Sequence, residues 1–112
     1  MAEATADIQR VVRELVERLE RAGSLRVERV VLFGSYARGR PRRGSDIDLL
    51  VLSPGFGRMS LWKRIRLVAQ VKGECDRRLE VLTCTPAEWK GAGPASFLEH
   101  IKRTGVVVYE AR

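Results

Sequence analysis

The chain has 112 residues, 45% of them hydrophobic and 31% charged, which fits one domain over residues 1–112 and excludes a disordered, collagen-like or coiled-coil chain. No run approaches the ~20 apolar residues of a membrane helix, and the acidic, helix-forming N-terminus does not read as a signal peptide. Lys and Arg total 21 against 14 Asp and Glu, a net charge of +7 that suggests an anionic partner, although a composition with 17 Arg, 4 Lys and no Asn accounts for it equally well.

Ile8, Val11, Val12, Leu15, Val16 and Leu19 recur with helical period, opposite a face of Arg and Glu residues. Thr5 is the expected N-cap of this first helix and Gly23 its stop. Residues 27–33 are apolar and β-branched up to Gly34, which predicts a strand. A short turn or helix follows from Ser35, and residues 38–44, with four arginines, two glycines and one proline, predict a basic loop. Residues 46–53 predict the second strand and 54–57 a turn. Residues 59–72 predict a second long helix with Leu61, Trp62, Ile65, Val68 and Ala69 on one side. Residues 79–85 predict a third strand, 86–90 one helical turn, 94–104 a short helix stopped by Gly105, and 106–109 a last strand. The order αβ(α)βαβααβ predicts an α/β fold, a small mixed sheet of about four strands with helices packed on it. Cys75 and Cys84 have no metal-type spacing, so a reducing, cytoplasmic setting is expected. His100 is the only histidine, so any Ser-His-Asp triad or histidine-rich metal site would rest on that one residue.

Two features carry chemistry. Gly34-Ser35 stands between a strand and a helix start, where glycine allows a tight turn and free N–H groups with a hydroxyl can hold phosphate. Asp46-Ile47-Asp48 opens an apolar strand. Period two puts both carboxylates on one face, about 6.5–7 Å apart at Cα. Two unpaired aspartates there repel, and a divalent cation with hard oxygen ligands removes that cost.

Together these lie in Gly34-Ser35-Tyr36-Ala37-Arg38-Gly39 followed by Ser45-Asp46-Ile47-Asp48. The stretch resembles the signature of polymerase-β-like nucleotidyltransferases in their small stand-alone form, the minimal nucleotidyltransferases. That resemblance implies a polymerase-β-palm-like fold and a set of roles. Gly34 and Ser35 would hold the β,γ-phosphates of ATP. Asp46 and Asp48 would bind Mg2+, expected as two ions. Arg38 and Arg42 would neutralise triphosphate charge, with Arg40 and Arg43 equally available, and Ser45 would support the loop or serve as a simple turn hydroxyl. The family's third carboxylate, generally Asp on a neighbouring strand, falls here at Glu80, one methylene longer; Asp76 and Glu74 are poorer candidates.

The activity so implied is Mg-dependent transfer of AMP from ATP to a hydroxyl. Relatives of this size pair with helical HEPN-domain toxins and act as antitoxins by adenylylating a toxin tyrosine, so a HEPN-type partner is expected. The alternative is a catalytically weak binding module that neutralises or scaffolds a helical partner by contact. A nucleic-acid binder working through residues 38–43 is disfavoured, because the aromatic interleaving of single-strand binders is missing. Self-association stays open.

Overall fold

The computed structural model describes residues 5–40, 44 and 46–112. Helix α1, Ala6–Gly23, starts where the Thr5 hydroxyl accepts the Ile8 N–H at 3.2 Å and ends at Ser24 in the left-handed region, φ 49°. All six of its periodic apolar residues are buried. Strand β1, Arg29–Phe33, opens two residues later than the apolar run suggests. Val27 is fully buried, but its N–H donates to the Glu20 carboxylate at 2.9 Å instead of to a neighbouring strand.

Helix α2, Gly34–Ala37, is a single turn. Strand β2, Ile47–Leu52, runs into a 3-10 turn, Pro54–Arg58, and then helix α3, Leu61–Cys75, capped by Ser60. Strand β3, Leu79–Cys84, leads to α4, Pro86–Lys90, where Thr85 and Glu88 form a reciprocal capping box. Helix α5, Phe97–Thr104, starts at the Ser96 cap rather than at Pro94, and β4, Val106–Glu110, ends the fold.

The strand order is β3-β2-β1-β4. β1 is antiparallel to both β2 and β4, while β2 and β3 are parallel, joined through α3 as a parallel pair requires. The expected small mixed α/β sheet is therefore present. Its Ile47, Leu49, Val51, Val30 and Leu32 face packs on α1 and α3. The opposite face, with Val31, Leu50, Leu52 and Cys84, is covered by Ile101 and Leu98 of α5 and by Trp89 of α4. This second cover reaches only part of the sheet, so the Phe33, Asp48 and Glu80 end remains partly open.

The apolar side expected for α3 is not the side it buries. Leu67 and Val71 enter the core, whereas Leu61, Trp62 and Ile65 stand 69, 73 and 48% exposed. Periodicity locates an apolar stripe but does not say whether the same chain covers it; here α1 and the sheet occupy the other side of the helix.

Candidate active site

The site is built on one end of the sheet. Parallel register sets Asp48 of β2 against Glu80 of β3, and antiparallel register sets Phe33 of β1 against Asp48. Residues directly opposite in a ladder share a face, so Glu80, Asp48 and Phe33 form a row. Gly34 follows Phe33 at φ +74°, and a Cβ placed there would meet Asp48 Oδ2. Only glycine lets the backbone turn so close to that carboxylate.

From Gly34 the chain makes one turn. The Arg38 N–H donates to the Gly34 carbonyl at 3.2 Å and the Arg40 N–H to the Ser35 carbonyl at 3.0 Å. No side chain caps the start of α2, which leaves its first N–H groups for an incoming anion. Asp46 lies exposed just ahead of β2 rather than within it. Burial raises the Asp48 pKa, and the negative charges of Asp46 and Glu80 raise it further, while Arg38 opposes them. Asp46, Asp48, Glu80 and Arg38 thus share one electrostatic neighbourhood. Arg42 and Ser45 lie outside the described residues.

Glu80 is exposed, and its Oε2 meets Lys72 Nζ of α3 at 3.5 Å. An ion pair this open is worth little, so Glu80 turns away from Lys72 at small cost. The sequence gives no sign of Lys72, because the parallel crossover alone brings it beside β3. Among the described residues, no three acidic, histidine or cysteine side chains converge as a finished metal cluster. The donor chemistry nevertheless fits a hard divalent cation. Asp48 is a desolvated carboxylate crowded by two like charges, and magnesium characteristically takes one or two protein carboxylates and completes its shell with substrate phosphate and water.

The two other acids considered for the third position are engaged elsewhere. Glu74 faces Arg18 at 3.8 Å. Asp76 accepts from the Arg78 backbone N–H at 2.8 Å and from its guanidinium at 2.8 and 3.0 Å. Arg78 also reaches Asp7 of α1 at 3.0 Å and the Tyr36 hydroxyl of α2 at 3.5 Å. It ties the phosphate-type turn to α1 and to the entry of β3, a role no local motif announces.

The Arg78 guanidinium holds Asp76 and Asp7 below the usual carboxylate range. A depressed folded-state pKa contributes stability above the unfolded value, and the contribution fades as pH falls through the folded value. Arg78→Ala is therefore expected to lower stability at neutral pH. The gap from wild type should close below about pH 4, the unfolded carboxylate range. Urea titrations at pH 7 and pH 3 measure it; a gap of equal size at both pH values would contradict the ion-pair account.

Residues 12–104 match the family model described as a nucleotidyltransferase domain. A protein of Methanocaldococcus jannaschii named as a protein adenylyltransferase is 26% identical over 102 residues, spanning 91% of this chain and 99% of that protein. A crystal structure of a toxin–antitoxin with AMP-PNP superposes with a TM-score of 0.58 at 20% identity, covering 88% of this chain and 73% of the other. A nucleotidyltransferase structure from Sulfolobus solfataricus gives 0.57 at 22% identity, covering 98% and 92%. These two structures share the fold, and the family match spans most of the chain, so with a glycine turn pressed against an aspartate strand at its centre the protein belongs to the nucleotidyltransferase domain family.

Proposed function

We propose that the protein is a magnesium-dependent adenylyltransferase, one unit over residues 1–112, that transfers AMP from ATP to a hydroxyl of another protein. The observation that carries this reading is the register of Asp48 against Glu80 with Gly34 pressed on Asp48. It supports a reading in which a phosphate-holding turn, a metal-binding carboxylate and a base share one face. Gly34 and Ser35 would hold the β,γ-phosphates. Asp46, Asp48 and Glu80 would hold magnesium, expected as two ions, which supplies charge neutralisation at the phosphates when bound. Arg38, and Arg42 by its place in the motif, would add positive charge.

Glu80 accepts the proton of the attacking hydroxyl. The hydroxyl oxygen bonds to the α-phosphorus, the bond from that phosphorus to the β-phosphate oxygen breaks, and pyrophosphate leaves. The name of the archaeal relative and the toxin–antitoxin neighbour support a protein acceptor in a toxin–antitoxin setting. The finer reading is a tyrosine of a HEPN-type toxin, with this protein as cytoplasmic antitoxin.

The test is the intact mass of such a partner incubated with ATP and magnesium, which should rise by AMP units. Glu80→Gln should slow transfer on the order of 10²–10⁴-fold, the usual worth of a positioned base, while magnesium–ATP binding stays near wild type. Glu80→Asp should keep activity or raise it. Unchanged transfer by Glu80→Gln would move the base elsewhere.

A second reading, a catalytically weak module that neutralises its partner by contact, draws on the Lys72 contact that engages the third carboxylate. Tight complex formation without any mass increase would select it.

A further inference from the structure

Among the described residues six large apolar side chains are exposed, and three of them lie together. Leu61, Ile65 and Leu82 line one groove of about 730 Å3, and Trp62 follows Leu61 on the same helix. One wall is the outward stripe of α3, in which Leu61, Ile65, Val68 and Ala69 follow the spacing of a helix-packing seam. The floor is the free edge of β3 around Leu82, and Leu98 of α5 closes the far side. A contiguous apolar face of this kind on a folded chain marks an interaction site more often than chance exposure.

Charge selects the occupant. Lys63 and Arg66 stand exposed on α3, while the groove's own cations, Arg64 and Lys72, meet Glu88 at 3.1 Å and Glu80 at 3.5 Å. The groove's acid, Glu88, is already held by Arg64 at 3.1 Å and by the Thr85 N–H at 2.8 Å. A second copy of this chain would bring the same cations face to face, and the net charge of +7 adds to that repulsion. The α3 seam accepts a helix at the usual interaxial spacing of roughly 8–10 Å. At its inner end the groove reaches Lys72, whose ammonium contacts Glu80.

We infer that this groove docks an amphipathic helix of a partner protein, with an apolar stripe flanked by Asp and Glu, and that the docked helix lies beside Glu80 on the acceptor side of the site. The inference deepens the proposal above and rests on its reading that the acceptor belongs to another protein.

Calorimetric titration with three synthetic 20-residue peptides tests it. The first carries a Leu stripe at i, i+4, i+7 and i+11 with Glu flanks. The second has the same stripe with Lys flanks. The third has the first one's composition in strict alternation, suited to a strand. The acidic helix should bind, and Ile65→Lys, an exposed and hence fold-tolerant change, should weaken it at least tenfold, as should raising salt from 50 to 500 mM. The other two peptides should bind at least tenfold more weakly. Equal binding of the Lys-flanked peptide, preference for the alternating peptide, or no effect of Ile65→Lys would overturn the inference. So would light scattering that shows a dimer dispersed by Ile65→Lys, since that makes a second copy the occupant. Magnesium–ATP binding is measured on the same samples. Its absence beside intact peptide binding would defeat the enzymatic reading and leave the groove standing; intact ATP binding without peptide binding would do the reverse.

Discussion

Asp48→Asn is expected to reduce AMP transfer at least about 100-fold while leaving the fold as stable as wild type or more so. The two effects share one cause. Asp48 is a carboxylate desolvated by its place beside Phe33 and Gly34 and crowded by the charges of Asp46 and Glu80. Such a group destabilises the metal-free protein, and removing its charge relieves the strain. The same charge is what would hold magnesium against the triphosphate. A metal contributes several kcal/mol of charge stabilisation at a transferring phosphoryl group, and each 1.36 kcal/mol is a factor of ten in rate. Wild type should gain thermal stability from magnesium with ATP, since a ligand of the folded state alone stabilises it by mass action; Asp48→Asn should not. Thermal melts with and without magnesium–ATP, run beside a transfer assay, check both halves. A variant that melts lower without ligand, or that keeps its magnesium response, would place the metal carboxylate elsewhere.

Gly34→Ala should be nearly as damaging, by a steric route. The new methyl would clash with Asp48 Oδ2 and lie 3.1 Å from its Cγ, at a backbone φ of +74°. The left-handed conformation costs an L-residue roughly 1–2 kcal/mol. The clash is then relieved by turning the Asp48 carboxylate out of the row with Glu80. The expected result is modest destabilisation with nearly complete loss of magnesium-dependent ATP binding, read by calorimetry. Gly73→Ala in α3 is the matched control. Its Cβ meets nothing within 4 Å, so it should stabilise the helix by up to about 1 kcal/mol and leave nucleotide binding alone. Equal ATP affinity in Gly34→Ala and wild type would show that the close approach to Asp48 has no part in binding.

Much of this architecture is legible in the chain because local rules agree there with the tertiary outcome. The stripe from Ile8 to Leu19 is apolar on one face only, and that face is buried. Thr85 and Glu88 carry their helix start in their spacing. The close approach of Gly34 to Asp48 fits the motif, whose residues lie within fifteen positions of one another, whereas Asp46 stands just ahead of the strand it is expected to open. What stays hidden depends on distant segments. The strand acid at Glu80 can be picked out by its apolar setting, but only the parallel register sets it abreast of Asp48. Arg78 looks like any charged residue before a strand until α1 and α2 arrive around it. The stripe of α3 with Leu61, Trp62 and Ile65 reads equally as core or interface, because nothing in the periodicity tells a buried seam from an exposed one.

The strand order has a consequence for how the molecule comes to exist. β1 and β2 pair as neighbours in the chain, and the segment between them carries the glycine turn. This half needs only local closure, which is entropically cheap. Glu80 joins when α3 has crossed over to set β3 beside β2, and β4 reaches β1 only from the end of the chain. During vectorial synthesis the half that carries Gly34 and Asp48 can therefore pair before Glu80 arrives. Until β4 docks, β1 presents the open edge of Val30, Val31 and Leu32, an unpaired apolar strand prone to intermolecular pairing. The Val106–Glu110 strand thus acts as a folding cap, closing the edge of the sheet opposite β3.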